Sequence, residues 1–252
     1  MYEDLDRPPL SARALERALA PDGWRVQVLS TTTSTNEVVA ARARDGAAAG
    51  LVVVAEQQSA GRGRLDRPWV SPPRAGLTLS VLLRPDLAVD RWSWLPLWGG
   101  LAVARAVRAR AGVEAVLKWP NDVLVGGRKV CGVLAEVPVA GALVLGLGLN
   151  VTTRADELPH AGATSLALEQ ATTTDRDTLL RAVLRSLAQV LREQPVEGYR
   201  ALCSTIGLPV RVELPDGRSV TGTAEDVDDA GRLVVDGAAY SAGDVVHVRP
   251  TG

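Results

Sequence analysis

Lysine is almost missing from this chain. Of its 28 basic residues only Lys118 and Lys129 are lysines, and asparagine occurs only as Asn36, Asn121 and Asn150. An Arg-rich composition has replaced Lys wherever a generic cation suffices. The two survivors mark places that need a compact, strongly hydrated point charge, which the planar guanidinium fork does not supply. Chance retention in a skewed composition is the competing account. All five residues fall in short motifs, Thr33-Ser34-Thr35-Asn36, Lys118-Trp119-Pro120-Asn121-Asp122, Lys129-Val130-Cys131-Gly132 and Gly146-Leu147-Gly148-Leu149-Asn150, which points to an active site.

Other absences narrow the class. The two cysteines, Cys131 and Cys203, are far apart in sequence; buried thiols are expected, with a disulfide as the alternative. No apolar run approaches the roughly 20 residues needed to span a bilayer. The N-terminus, Met1 to Asp6, is acidic and lacks the basic-then-apolar layout of a secretion signal. A formal net charge of −1 gives no basic field to draw the chain to nucleic acid or membrane. A cytoplasmic location is expected.

What is present fits a soluble globular protein, with 46% hydrophobic and 23% charged residues over 252 positions. That length serves one large domain, or a large one and a small one. Short helices are expected over 11–20 and around Ser165–Glu169, longer ones over Ser93–Ala111 and Asp175–Arg192. Ser34 and Glu37 are spaced as a capping box for a helix that ends at Gly46. Strands are expected at Arg25–Leu29, Leu51–Ala55, Gly76–Leu83, Val113–Leu117, Asp122–Val125, Lys129–Val137 and Leu143–Leu149, with Gly126-Gly127 as a hairpin turn. From about Leu208 the texture changes. Five short strands, Val210–Leu214, Ser219–Asp226, Leu233–Val235, Ala238–Tyr240 and Val245–Val248, alternate with turn signals such as Pro215-Asp216-Gly217, which predicts a small β-barrel.

Several segments carry possible chemistry. The aperiodic stretch from Gln57 to Arg74 is too long for an idle connection. Its glycines allow close backbone approach, and Arg62, Arg64 and Arg67 offer forks for phosphate or carboxylate; a short RNA-binding tract or a plain solvated loop are the rivals. Lys118, at a strand end beside a Pro-fixed turn, is placed to neutralise a transferring phosphoryl group, or the motif is simply a turn. Asn121 and Asp122 either order that turn or help hold a metal ion. The glycines before Asn150 mark a close approach or a bulge. Tryptophans in 93–111 at helical spacing read as core. His160 and His247 are too far apart for zinc and read as surface or loop residues. No serine sits in a nucleophile elbow, and neither cysteine has an activating His nearby in sequence.

Taken in order, these motifs resemble biotin–protein ligases: Thr33-Ser34-Thr35-Asn36, Ala55-Glu56-Gln57-Gln58-Ser59-Ala60-Gly61-Arg62-Gly63-Arg64, Arg67-Pro68-Trp69, Lys118 to Val123, Lys129 to Leu134 and Gly146 to Asn150. The resemblance implies an α+β fold with a class II synthetase-like mixed sheet and helices packed on one face over residues 1–205. Residues 206–252 would form an SH3-like β-barrel. It implies a ligase that joins biotin to ATP as biotinyl-5′-AMP, with Mg²⁺, and passes biotin to a lysine of the biotin carboxyl carrier domain of biotin-dependent carboxylases. By the same resemblance, Ser34, Thr35, Asn36, Gln58, Gly61, Arg62, Arg64 and Lys118 serve biotin. Arg64, Arg67, Trp69, Asn121, Lys129, Gly132 and Asn150 serve the nucleotide, and Lys118 and Arg64 are the catalytic pair. The metal ligands stay unassigned, and a monomer and a homodimer both stay open.

Two departures stand out. Only about 30 residues precede the first motif, whereas the DNA-binding module of some members needs roughly 60, so no nucleic-acid role is expected. Asp66 falls where many members have Gly. The rival readings are a lipoyl or octanoyl ligase or transferase of the same fold, and a non-catalytic module that holds biotinyl-adenylate or RNA.

Overall fold

Alternation along the strands decides which side of the sheet becomes core and which becomes site. The computed structural model describes residues 7–64, 67–214, 217–241 and 244–247. The acidic N-terminus, Leu65, Asp66, Pro215, Asp216 and Val248 lie outside them. β1 (Arg25–Leu29) and β2 (Leu51–Ala55) pair in parallel. β3 (Gly76–Leu83), β4 (Ala115–Lys118), β5 (Asp122–Val125), β6 (Arg128–Val139) and β7 (Ala142–Asn150) join antiparallel, giving the order β1-β2-β3-β7-β6-β5-β4. Gly126 and Gly127, both at positive φ, make the tight turn between β5 and β6.

On one face, Val52 and Val54, Leu77 to Leu83 at every second residue, and Leu143 to Leu149 likewise enter the main apolar cluster. There they meet α1 (Ala12–Leu19), α3 (Trp94–Ala111) and α4 (Arg176–Glu193). α3 is buried nearly all round, and Trp94 and Trp98 stack within the core. The intervening residues Val53, Leu82, Ala142 and Val144 pack instead against Val39, Ala40 and Ala43 of α2 (Thr35–Arg44). The expected α+β class therefore holds with one addition: α2 covers the opposite face, and only its lower end. Above α2 that face is left to Ser80, Gly146, Gly148 and Asn150.

The five predicted C-terminal strands form: β8 (Pro209–Glu213), β9 (Ser219–Val227), β10 (Leu233–Val235), β11 (Ala238–Tyr240) and β12 (Asp244–His247), ordered β11-β10-β9-β8-β12. The described buried residues of this small antiparallel sheet belong to the main core. Val210, Val212, Ala224, Val227, Leu233, Val235 and Val245 share one cluster with Trp94 and Trp119. Both indoles donate to its β9–β10 turn, Trp94 to the Asp229 carbonyl at 2.8 Å and Trp119 to the Gly231 carbonyl at 3.1 Å.

One helix expectation needs correction, and one helix is added. Residues 165–169 form hydrogen-bonded turns, not a helix. The Glu169 side chain is drawn off to Thr164 and Arg128, and Gln170 at φ 54° ends the turn. A short α5 (Val196–Arg200) precedes the small sheet and went unpredicted. Among the described residues no helix is long and apolar enough to cross a membrane.

Candidate active site

The parallel pair β1–β2 continues past its strand ends. Ser59 and Ala60 donate to the Thr32 and Thr33 carbonyls, each at 2.9 Å, and Thr32 donates to Gln57 at 3.1 Å. This extension sets Gln58 beside the first turn of α2. Gln58 Oε1 accepts from the Thr35 N–H at 2.7 Å and from the Thr35 hydroxyl at 3.1 Å. From β3 the fully buried Ser80 hydroxyl lies 2.7 Å from Thr35 Oγ1 and 2.5 Å from Asn36 Oδ1, and Asn36 Nδ2 donates to Glu136 at 2.5 Å. The first turn of α2 is thus fixed by a polar network, not by its cap. Ser34 makes no side-chain capping bond. Glu37 accepts from Thr33 Oγ1 at 2.9 Å and faces Arg62 at 3.5 Å, so the expected capping box does not form.

The Gly/Arg loop folds back on itself: Gly63 donates to the Arg67 carbonyl at 2.7 Å and Trp69 to Gly61 at 2.8 Å. The turn lays the Trp69 indole on β6 and β7, where a Cβ at Gly148 would overlap the ring and one at Gly132 would meet it at 3.2 Å. This is a close approach that only glycine permits. Lys129 Nζ stands 5.8 Å from the ring centroid, within cation–π reach. Trp69 Nε1 is buried with no hydrogen-bond partner among the described residues.

Charges converge on this region. Arg62 lies 3.5 Å from Glu37 and 3.6 Å from Glu136. Arg64 Nη1 is 3.5 Å from Asn121 Oδ1. Asn121 orders the turn after Lys118, donating to the Val133 carbonyl at 3.0 Å and accepting from the Val133 N–H at 2.9 Å. Lys129 Nζ and Asp122 Oδ1 are 2.6 Å apart, a charge pair without the angle of a directed hydrogen bond. Asn150, nearly buried, donates to the Thr164 carbonyl at 2.9 Å.

A cavity of about 390 Å³ opens on the face above α2. It is lined by Ser34, Thr35, Asn36, Gln58, Arg62, Arg64, Arg67, Trp69, Asn121, Asp122, Lys129, Gly132 and Asn150. Thr78, Pro159, His160 and Ala163 complete parts of the wall. Two expected residues are not in the lining. Gly61 is buried beneath the loop, where a Cβ would meet Gln58 Nε2 at 2.5 Å. Lys118 is half-buried at the end of β4.

His160 is exposed, as expected, but it borders the cavity. His247 is not the surface or loop residue expected. It is half-buried on β12, with Nε2 3.1 Å from Thr205 Oγ1. Ser80 and Glu136 stand outside every motif; for Ser80 the strand alternation Thr78-Leu79-Ser80, with polar residues set between leucines, is the available signal. Both cysteines are free and buried, and burial pushes the Cys131 thiol up to about 12, so neither is a nucleophile. Among the described residues no group of three or more His, Cys, Asp or Glu stands together. A hard cation that keeps most of its shell in phosphate oxygens and water needs only one or two carboxylates, and Asp122 fits that role.

Residues 28–150 match the Biotin/lipoate A/B protein ligase family, and residues 205–248 the biotin protein ligase C terminal domain. The biotin–[acetyl-CoA-carboxylase] ligase of Mycobacterium tuberculosis is 45% identical, with 96% of this chain and 97% of that protein covered. The bifunctional ligase/repressor BirA of Escherichia coli is 30% identical over 85% of this chain and 70% of its own length. Among solved structures, a biotin protein ligase from Aquifex aeolicus in complex with biotin and ATP superposes with a TM-score of 0.75 at 28% identity, covering 89% of this chain and 98% of that one. With most of its motif residues lining one cavity and 96% of its length matched by a relative 45% identical, this chain belongs to the biotin protein ligase family.

Proposed function

We propose that the chain condenses biotin with ATP and then biotinylates a carrier lysine. A biotin carboxylate oxygen attacks the ATP α-phosphorus, the bond to pyrophosphate breaks, and biotinyl-5′-AMP remains. The ε-amine of a lysine on a biotin carboxyl carrier domain then attacks the acyl carbon, and AMP leaves as the amide forms. The carrying observation is convergence: residues from five sequence-distant motifs line one cavity, uncharged polar side chains together with cationic ones.

At the first turn of α2, Ser34, Thr35 and Asn36, with Gln58 beside them, supply the donors and acceptors that a ureido ring requires. Thr35 and Gln58 already bond each other, so the network is preorganised. Arg62 and Arg64 meet the biotin carboxylate and the α-phosphate, while Arg67, Trp69, Asn121, Lys129, Gly132 and Asn150 hold the nucleotide. Lys118 and Arg64 are assigned the developing charge of the transition state. Mg²⁺ entering with ATP would meet Asp122 and neutralise phosphate charge. The reaction needs no covalent enzyme nucleophile, in keeping with the buried thiols. In this reading residues 1–205 form the catalytic part and residues 206–252 the smaller C-terminal part.

Ligand-induced stabilisation tests the substrate assignment. Biotin with ATP and Mg²⁺ should raise the thermal midpoint, at about 100 times its dissociation constant contributing some 2.7 kcal/mol. Lipoate should leave it unmoved. A rise with lipoate alone would move the chain to the lipoyl-transferring branch, and no rise with either acid would reject the proposal.

A further inference from the structure

The residues on either side of Lys118 are held by the C-terminal part of the chain. Leu117 donates to the Leu202 carbonyl at 2.8 Å, and its own carbonyl accepts from the Ser204 N–H at 2.8 Å and the Ser204 hydroxyl at 2.9 Å. The Trp119 N–H donates to Thr205 Oγ1 at 3.0 Å, and its indole to the Gly231 carbonyl at 3.1 Å. Thr205 is fully buried, and its hydroxyl also meets His247 Nε2 of β12 at 3.1 Å. With its oxygen accepting from Trp119, the Thr205 hydroxyl has one proton, which a neutral imidazole with Nε2 unprotonated accepts in competition with the neighbouring Cys203 sulfur. A continuous chain therefore runs from His247 through Thr205 to the backbone beside Lys118.

We propose that His247 is a positioning residue for adenylate formation: with Thr205 it fixes the end of β4 and so the direction from which Lys118 addresses the reacting phosphate. This rests on the assignment of Lys118 to transition-state charge. It makes the small sheet part of the catalytic machinery. Burial, and then the Lys118 ammonium, hold the His247 imidazole below its usual range, which favours the neutral acceptor form the geometry needs. Among the described residues Lys118 is the charged group that bears on the ring; Val210, opposite on β8, and Thr205 are uncharged. Protonation would replace the acceptor with a second cation beside Lys118.

The test is biotin-dependent exchange of labelled pyrophosphate into ATP by the full chain, in the parent, His247→Ala, His247→Gln, Thr205→Val and Lys118→Ala. His247→Ala should lower kcat about tenfold or more while the KM for biotin stays within about twofold. His247→Gln, whose amide oxygen accepts from Thr205 and does not titrate, should recover most of the rate and lose the parent's decline on the acid side. Thr205→Val should resemble His247→Ala, and serves if that variant fails to fold. Unchanged kcat in both, a loss confined to the biotin KM, or a Gln variant no better than Ala would overturn the proposal. A parent without exchange, or a Lys118→Ala variant at full rate, would instead overturn the functional reading beneath it.

Discussion

At the scale of single residues, charge that cannot be relocated carries the largest effects. Lys118→Ala should keep the parent's thermal midpoint yet slow adenylate formation by about a hundredfold, the scale of losing one preorganised charge stabiliser; single-turnover measurement of biotinyl-AMP checks it, and near-normal turnover removes Lys118 from the mechanism. A purely structural counterpart lies behind the sheet. Arg176 donates to Glu56 at 2.6 Å, with both side chains under 10% exposed, while Glu56 also accepts from the Leu10 N–H and Arg176 donates to Pro8. Arg176→Met leaves a buried carboxylate unpaired and should cost about 3–5 kcal/mol in urea unfolding, where a change within 1 kcal/mol contradicts the pairing. Of the two kinds of residue, only the first was legible in the sequence. Lys118, Lys129 and the three asparagines stood out through their rarity and sat in motifs. Glu56, Ser80 and Glu136 are common residue types, and His247, one of two histidines, stands in no motif; their partners are dozens to more than a hundred positions away, so only the fold brings them together.

Elements were legible where local pattern and tertiary packing agree. β2 and β3 fall at the predicted bounds because their runs are buried almost whole, and β1, exposed at Arg25 and Gln27, because it pairs with β2 along its full length. The capping box failed because the cavity and Arg62 compete for Ser34 and Glu37. The Gly-Leu-Gly-Leu-Asn strand, read at first as a close approach or a bulge, resolves by period two: leucines enter the core while Gly146, Gly148 and Asn150 face the cavity and Trp69. The Gly/Arg loop is the element that ligand should change most. Biotin with ATP should slow tryptic cleavage after Arg62 and Arg64 about tenfold or more, since ligation removes the cleavable state; equal rates with and without ligand would contradict the assignment of both arginines. The small C-terminal sheet was legible as five strands but not as a sharer of the main core. Because its valines pack with Trp94 and Trp119, urea should unfold the chain in one transition by both tryptophan fluorescence and far-UV dichroism. Two separated transitions would mean that the sheet folds alone.

For the whole molecule, stability should fall with acid in two windows. His247 is held below its usual 6.5 by burial and Lys118, so the unfolded chain takes up that proton first and stability declines as pH falls below about 6.5. Glu157 and Asp175 are lowered by hydrogen bonds from Arg7 and Thr178, so their contribution is full above the ordinary carboxylate range and is lost as pH falls through their folded values. Thermal midpoints across pH should therefore show a first decline that His247→Gln removes and a second that it leaves; an unchanged first decline in that variant would assign it elsewhere. The account as a whole depends on one chemical step, the joining of biotin to AMP in the cavity above α2. Exchange of labelled pyrophosphate into ATP, run with biotin and with lipoate as the control acid, measures that step directly. The account predicts exchange with biotin and none with lipoate. Exchange with lipoate alone, or with neither acid, would contradict it.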